Sequence, residues 1–180
     1  QYGWTPKSHF RAAAIIRSMS YDNLTAHKTE SEIGWGVLAS ATFNVMNCLQ
    51  VYGQGVYGKG IGQFLNDMSL LNVDVVPNPE KEGKMQVLPM MGWFAGMQYN
   101  FSPKVFITST YGQSRLYSHD GYPTTPSEQY RYGQYLNATL FWNITSDLQV
   151  GAEYLRGWRT DFNGDTRHAN RMNLAVQYSF

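Results

Sequence analysis

The sequence predicts an all-β chain that folds as a transmembrane antiparallel up-and-down β-barrel, with residues 1–180 forming one barrel domain or part of one. Three observations predict this class: apolar and polar residues alternate, short and long connections alternate, and the composition is unusual. Charged residues make up 15% of the chain, below the roughly 25% of a soluble domain, yet the mean hydropathy is −0.40. A barrel with a lipid-facing surface and a wet interior explains this combination.

The alternation is clearest at the end of the chain. One face carries Met172, Leu174, Val176, Tyr178 and Phe180, and the residues between them are polar or small. Such a period of two is typical of a strand with different environments on its two faces. It predicts eight strands, at about residues 9–21, 32–43, 48–62, 85–101, 105–117, 129–144, 148–158 and 171–180. Five glycines leave the inward and outward faces of the third strand undecided.

The connections between these strands differ in length in a regular way. Residues 44–47, 102–104 and 145–147 are tight turns, whereas 22–31, 118–128 and 160–166 are longer and polar and 65–83 is the longest connection. In outer-membrane barrels the short turns face the periplasm and the long loops face outward. Segment 65–83 is apolar for a solvated loop, so it either folds into the lumen and narrows it or packs over a neighbouring loop or subunit.

Other function classes find little support in the residues. The formal net charge is +1, which gives no electrostatic footprint for nucleic acid. The single cysteine, Cys48, excludes a disulfide within the chain. Ser118, His119 and Asp120 are adjacent, and His168 lies further on, but neighbours in sequence seldom form a catalytic triad, and no ligand spacing supports a metal site. We therefore expect no enzyme activity, no metal and no cofactor. A soluble β-sandwich or lipocalin-like barrel is the competing fold, with the larger apolar face inside.

Five charged residues fall on the polar faces of the predicted strands: Arg11, Arg17, Arg131, Arg171 and Glu153. Four guanidinium groups against one carboxylate would concentrate anions in a lumen and disfavour cations. Arginine also suits carboxylates, because its two N–H groups pair with both oxygens. The alternative is that these arginines pair with acidic groups and line a neutral or packed interior.

Two short stretches carry a resemblance to known proteins. The closing segment Asn173-Leu-Ala-Val-Gln-Tyr-Ser-Phe180 resembles the terminal aromatic strand by which outer-membrane proteins are recognised for assembly. Tyr57-Gly-Lys-Gly-Ile-Gly-Gln-Phe-Leu65 resembles the glycine-rich segment of the DcaP-like trimeric porins, and Phe10-Arg-Ala-Ala-Ala-Ile-Ile-Arg17 is also similar to that family.

The resemblance implies a sixteen-stranded barrel and a homotrimer in the bacterial outer membrane. Its expected partners are the lipid bilayer, lipopolysaccharide and small anionic or polar solutes that diffuse through the pore. Eight strands make about half of such a barrel, so we expect the C-terminal half of a longer chain. Gln1–Ser8 would then enter from a preceding hairpin. The alternative is a closed eight-stranded barrel with a binding, adhesion or structural role, whose lumen side chains would fill.

Overall fold

A computed structural model describes residues 8–24, 26–126 and 128–180, and the backbone of residues 2–5. Its strands are β1 (Tyr2–Thr5), β2 (Ser8–Asn23), β3 (Lys28–Met46), β4 (Leu49–Lys59), β5 (Val75–Pro77), β6 (Met85–Val87), β7 (Pro89–Asn100), β8 (Val105–Leu116), β9 (Tyr130–Asn143), β10 (Leu148–Asp161) and β11 (Thr166–Tyr178). A short 3-10 turn covers Gly62–Phe64. In the described ranges, no helix has the length and apolar character needed to cross a membrane.

Nine strands form one antiparallel sheet in the order β1-β2-β3-β4-β7-β8-β9-β10-β11, and β5 pairs with β6 in a separate hairpin. The predicted all-β, up-and-down architecture with eight long strands is confirmed. The ninth strand, β1, is short and pairs with the beginning of β2. Within the described residues β2 and β11 do not pair with each other, so the sheet is open.

The strand register assigns every side chain to one of two faces. Val56 lies opposite Gly92, and Gly92 lies opposite Ser114, so these three residues share a face. We call it the inner face, because residues 60–88 pack against it; the other is the outer face. The pairing also settles the third predicted strand, in which Tyr52 and Gln54 lie on the inner face and Val51 and Tyr57 on the outer face.

Large apolar side chains on the outer face remain exposed. Ile16 is 80% exposed and Leu174 is 84% exposed, and Trp142, Met172 and Val176 on the same face are also exposed. A soluble sandwich would bury this face against a second sheet. The described chain instead leaves a broad apolar surface uncovered, which is typical of a surface that contacts lipid or another protein.

Residues 60–88 are hereafter called the inner segment. The buried core lies between this segment and the part of the inner face that is near the long loops. It consists of Ile61, Leu65, Met68, Val73, Val76, Leu88, Met90, Leu116 and Tyr130. Two inner-face glycines make room for it: a Cβ added at Gly92 would collide with Leu65, and one at Gly36 would lie 3.0 Å from Ile61 Cγ2. Of the two alternatives for residues 65–83, the structure shows packing against the inner face of the sheet.

Some strand boundaries differ from the prediction. The predicted strand 85–101 is divided into β6 and β7, because β6 leaves the main sheet to pair with β5. Strand β10 continues to Asp161 rather than 158, and β11 begins at Thr166 rather than 171. At this end of β11 the outer-face residues, such as His168 and Asn170, are polar. The alternation of apolar and polar residues therefore does not extend over the whole strand.

Replacing Leu88, which is 0% exposed, with alanine should loosen the inner segment. Deleting a buried leucine side chain costs about 2–5 kcal/mol, because it loses packing and leaves a cavity. Amide hydrogen exchange of residues 60–88 should become faster in Leu88→Ala. The matched control Leu70→Ala lies in the same segment but is 91% exposed, and it should exchange like the wild type. Equal protection in both variants would contradict the packing described above.

Candidate lumen site

Four of the five charged residues singled out in the sequence lie on the inner face. Arg11 is opposite Ser40 and Arg17 is opposite Gly34 on β3. Glu153 is opposite Asn173 and Arg171 is opposite Leu155 across the β10–β11 pair. The period of two therefore predicted the correct face for these four side chains.

Arg131 lies at an irregularity where the alternation does not apply. Thr160 pairs with Tyr132 but the next residue, Asp161, pairs with Tyr130, so Arg131 is the extra residue of a β-bulge. Its guanidinium carbon lies 5.9 Å from the ring centroid of Tyr132, which is on the outer face. The structure does not bring Arg131 together with the other predicted residues.

Arg17 holds the inner segment. Its Nη1 donates to Asp74 Oδ2 at 2.8 Å and to the Gly60 carbonyl at 3.2 Å, and its guanidinium lies 5.6 Å from the ring centroid of Phe64. The second carboxylate oxygen of Asp74 accepts the N–H of Gly62. Because both groups of the ion pair are already engaged, Arg17 acts as a tether rather than as a free cation.

A second tether lies at the long-loop end of β2 and β3. Lys84 Nζ donates to both carboxylate oxygens of Glu30, at 2.7 and 2.6 Å. Tyr21 accepts the N–H of Met85 at 3.2 Å and donates to Glu30 at 3.0 Å. The hydrogen bond to Glu30 raises the pKa of Lys84. The two ends of the inner segment are thus fixed to the same pair of strands.

Glu153 is surrounded by neutral donors. It accepts hydrogen bonds from Asn137 and Thr139, both at 3.1 Å, and from Asn173 at 2.7 Å. Arg171 Nε donates to the amide oxygen of the same Asn173 at 2.7 Å. Asn173 therefore links the carboxylate and the guanidinium, and no ion pair within 4 Å joins the two among the described residues.

The sequence analysis missed two further arginines on the inner face. Arg159 and Arg167 are directly opposite each other on β10 and β11. Arg159 pairs with the buried Asp161 at 2.8 Å and donates to the Glu128 carbonyl at 3.1 Å, whereas Arg167 has no ion-pair partner in the described part of the chain. Extending the alternation of Arg171 and Asn173 backward by two steps would have found Arg167.

A cavity of about 1030 Å³ separates the inner segment from the wall formed by β9–β11. Asp67 of the segment lines one side, where Ser114 donates to it at 2.6 Å, and Arg159 and Arg167 line the other. Opposite charges on facing walls create a field across the space between them. The predicted excess of four guanidinium groups over one carboxylate does not describe the inner face, because Asp67 lines this cavity and Asp74 and Asp161 pair with Arg17 and Arg159.

Among the polar loop residues, His119 contacts one acidic and one basic side chain. Nδ1 of His119 lies 3.5 Å from Asp120, and its Nε2 lies 3.2 Å from Lys59 Nζ. In the portion of the chain that the structure describes, no group of three His, Cys, Asp or Glu side chains is placed to hold a metal ion.

Comparison with known proteins adds a structural neighbour. The chain is similar to the crystal structure of the outer membrane channel DcaP of Acinetobacter baumannii, with a TM-score of 0.70 and 17% identity over 99% of this chain. It spans 60% of that protein's chain. No family model matches the sequence, and no curated protein sequence matches it either. At this identity the likeness shows a shared fold, that of a barrel porin wall.

The contact between Arg17 and Asp74 leads to a testable prediction. Arg17→Met should release Asp74 and lower the stability of the inner segment by roughly 1 kcal/mol, since the pair is partly exposed and screened by water. The exchange rate of the Gly62 amide should rise, because its acceptor is no longer held in place. Arg11→Met removes an inner-face arginine with no contact to the segment in the described structure and should leave that rate unchanged. Equal effects of the two substitutions would argue against a tether.

Proposed function

We propose that this chain forms part of the wall of an outer-membrane channel for passive diffusion of small polar, preferentially anionic, solutes. The observation that carries the proposal is the division of one sheet into an exposed apolar outer face and a polar inner face with a cavity beneath a tethered segment. A membrane channel requires this arrangement, because one face contacts lipid and the other contacts water. The likeness to a channel of known structure supports it.

The anion preference is supported by three inner-face arginines. Arg11, Arg167 and Arg171 have no carboxylate within 4 Å among the described residues, whereas Arg17 and Arg159 are paired. Unpaired guanidinium groups raise the local concentration of anions and bind carboxylates through two hydrogen bonds. Glu153 opposes this effect, but three neutral donors and the nearby Arg171 reduce its field.

The inner segment would set the width of the passage. It crosses the inner face with its buried side chains against β3, β4, β7 and β8 and presents Asp67 to the cavity. A solute anion would then be drawn to the β10–β11 wall and repelled from the segment. No catalytic step is part of this function.

The outer face offers support for the proposed homotrimer. A groove of about 700 Å³ has a floor of small residues, among them Ala39, Ala41 and Ala95. Beside it Gln134 donates to the Tyr111 hydroxyl at 2.6 Å on the same face. Polar side chains at mid-height are costly in lipid but favourable against protein, so this region suits a subunit contact. Migration of the full-length protein as a trimer in mild detergent is the expected result.

A closed eight-stranded barrel with a binding or structural role is the competing function. It would require β2 to pair with β11, which the structure does not show among the described residues. Planar-bilayer recording of the full-length protein under a salt gradient distinguishes the two. Stepwise currents with a reversal potential on the anion side are expected, and silence from folded protein would contradict the channel.

Substitution of the unpaired arginines tests the selectivity. Arg167→Ser together with Arg171→Ser should move the reversal potential toward the cation side, because the inner face of β11 loses two positive charges. Arg131→Ser is the comparison: its side chain lies over Tyr132, so we expect little change. A larger shift of the reversal potential in Arg131→Ser than in the double variant would support the sequence-based prediction that Arg131 lines the lumen. It would contradict the proposal that Arg167 and Arg171 of β11 determine the selectivity.

A further inference from the structure

A row of paired residues crosses the inner face beside the cavity, at one level along the strands. Ser114 of β8 lies opposite Gly133 of β9, which lies opposite Arg159 of β10. Arg159 in turn lies opposite Arg167 of β11. Asp67 of the inner segment joins the row at its β8 end, because Ser114 donates to its carboxylate at 2.6 Å. The row therefore has a carboxylate at one end and a guanidinium group at the other, and both line the cavity.

The charges at the two ends of the row are not neutralised within the described chain. No cation lies within 4 Å of the Asp67 carboxylate there, and no carboxylate lies within 4 Å of Arg167. Arg159, between them, is engaged: its Nε donates to Asp161 at 2.8 Å, and its guanidinium carbon lies 5.6 Å from the ring centroid of Tyr130. The middle of the row is thus electrically balanced, and one unpaired charge of each sign remains.

We propose that the cavity binds zwitterionic solutes whose two charges lie at opposite ends of the molecule, the class to which short peptides belong. This inference rests on the channel in the proposed function and names the solute that its cavity favours. The ammonium group of a peptide would meet Asp67, and its carboxylate would meet Arg167 through charge-assisted hydrogen bonds. A simple anion is attracted by one end of the row and repelled by the other, whereas such a zwitterion is attracted by both.

The separation of the two charges determines the size of the solute. Adjacent strands lie about 4.8 Å apart, so the backbone of Arg167 is about 14 Å from that of Ser114, three strands away. The side chains of Arg167 and Asp67 line the cavity and shorten this gap. An extended tripeptide spans about 10 Å, whereas the two charges of a single amino acid are too close together to reach both ends. Leu71 and Leu155 line the same cavity and offer apolar contact to the body of a peptide.

The test uses the full-length protein in planar bilayers and measures how triglycine interrupts the single-channel current, with blocking constants extrapolated to zero voltage. Triglycine should block about fivefold more strongly than N-acetyl-triglycine, which lacks the ammonium group, because it gains one solvated ion pair. It should exceed triglycine amide, which lacks the carboxylate, by a similar factor. Free glycine should block no better than the capped peptides. Equal block by triglycine and its two capped forms would overturn the proposal.

Charge-removing variants assign the two ends of the peptide. Asp67→Asn keeps an acceptor for the Ser114 hydroxyl and should weaken block by triglycine about fivefold, the contribution of one solvated ion pair. Block by N-acetyl-triglycine should become stronger in this variant, because the repulsion of its carboxylate is removed. Arg167→Gln should weaken block by both peptides. The control Asp147→Asn removes a carboxylate from an exposed short turn and should behave like the wild type. Equal weakening of both peptides in Asp67→Asn would contradict the assignment.

The channel and the peptide site fail in different ways. Silence from folded protein would contradict the channel, whereas a conducting protein that triglycine and its capped forms block equally would refute this inference alone. Calorimetric titration of the detergent-solubilised full-length protein with triglycine examines the site without any current. A silent protein that still binds triglycine more tightly than N-acetyl-triglycine would refute the channel and leave the peptide site standing.

Discussion

The antiparallel register of the sheet is the constraint on which the remaining structure depends. Eight long strands pair with their neighbours over almost their full length, so each residue stays on the same face as its partners from β2 to β11. A slip of one residue in any strand would move its apolar side chains to the inner face and its arginines to the outer face. In a bilayer the same pairing satisfies backbone N–H and C=O groups that have no water available.

The inner segment follows from that register. Because Gly36 and Gly92 fall on the inner face, the sheet offers two positions where another chain segment can approach the backbone closely. The segment begins at Gly60, whose φ of +65° is available to glycine at little cost and turns the chain away from β4. Burial of Ile61, Met68 and Leu88 then provides the stabilisation, and the Arg17–Asp74 ion pair fixes the position. A partly exposed ion pair alone would contribute too little to hold a segment of this length.

The period of two predicted the strands and the face of Arg11, Arg17, Arg171 and Glu153, because these lie in regularly paired stretches. It gave the wrong expectation for the surroundings of Arg131, since nothing in a single sequence shows which residue of a β-bulge is the extra one. Arg159 and Arg167 were missed because outer-face residues near them are polar. The alternation of apolar and polar residues, which predicted the strands elsewhere, is therefore lost there. Asp67 and Asp74 belong to a segment with no period at all, and only its packing places them opposite arginines.

The arginines of this chain show how position determines the role of one residue type. Arg17 and Arg159 have carboxylates close by and stabilise the fold, whereas Arg167 lines the cavity and has no carboxylate within 4 Å among the described residues. Arg115 is on the opposite face, where its Nε is buried against tyrosine rings and lacks an acceptor. A guanidinium group is costly to desolvate, and the rings of Tyr117 and Tyr132 offset part of that cost because their faces attract a cation.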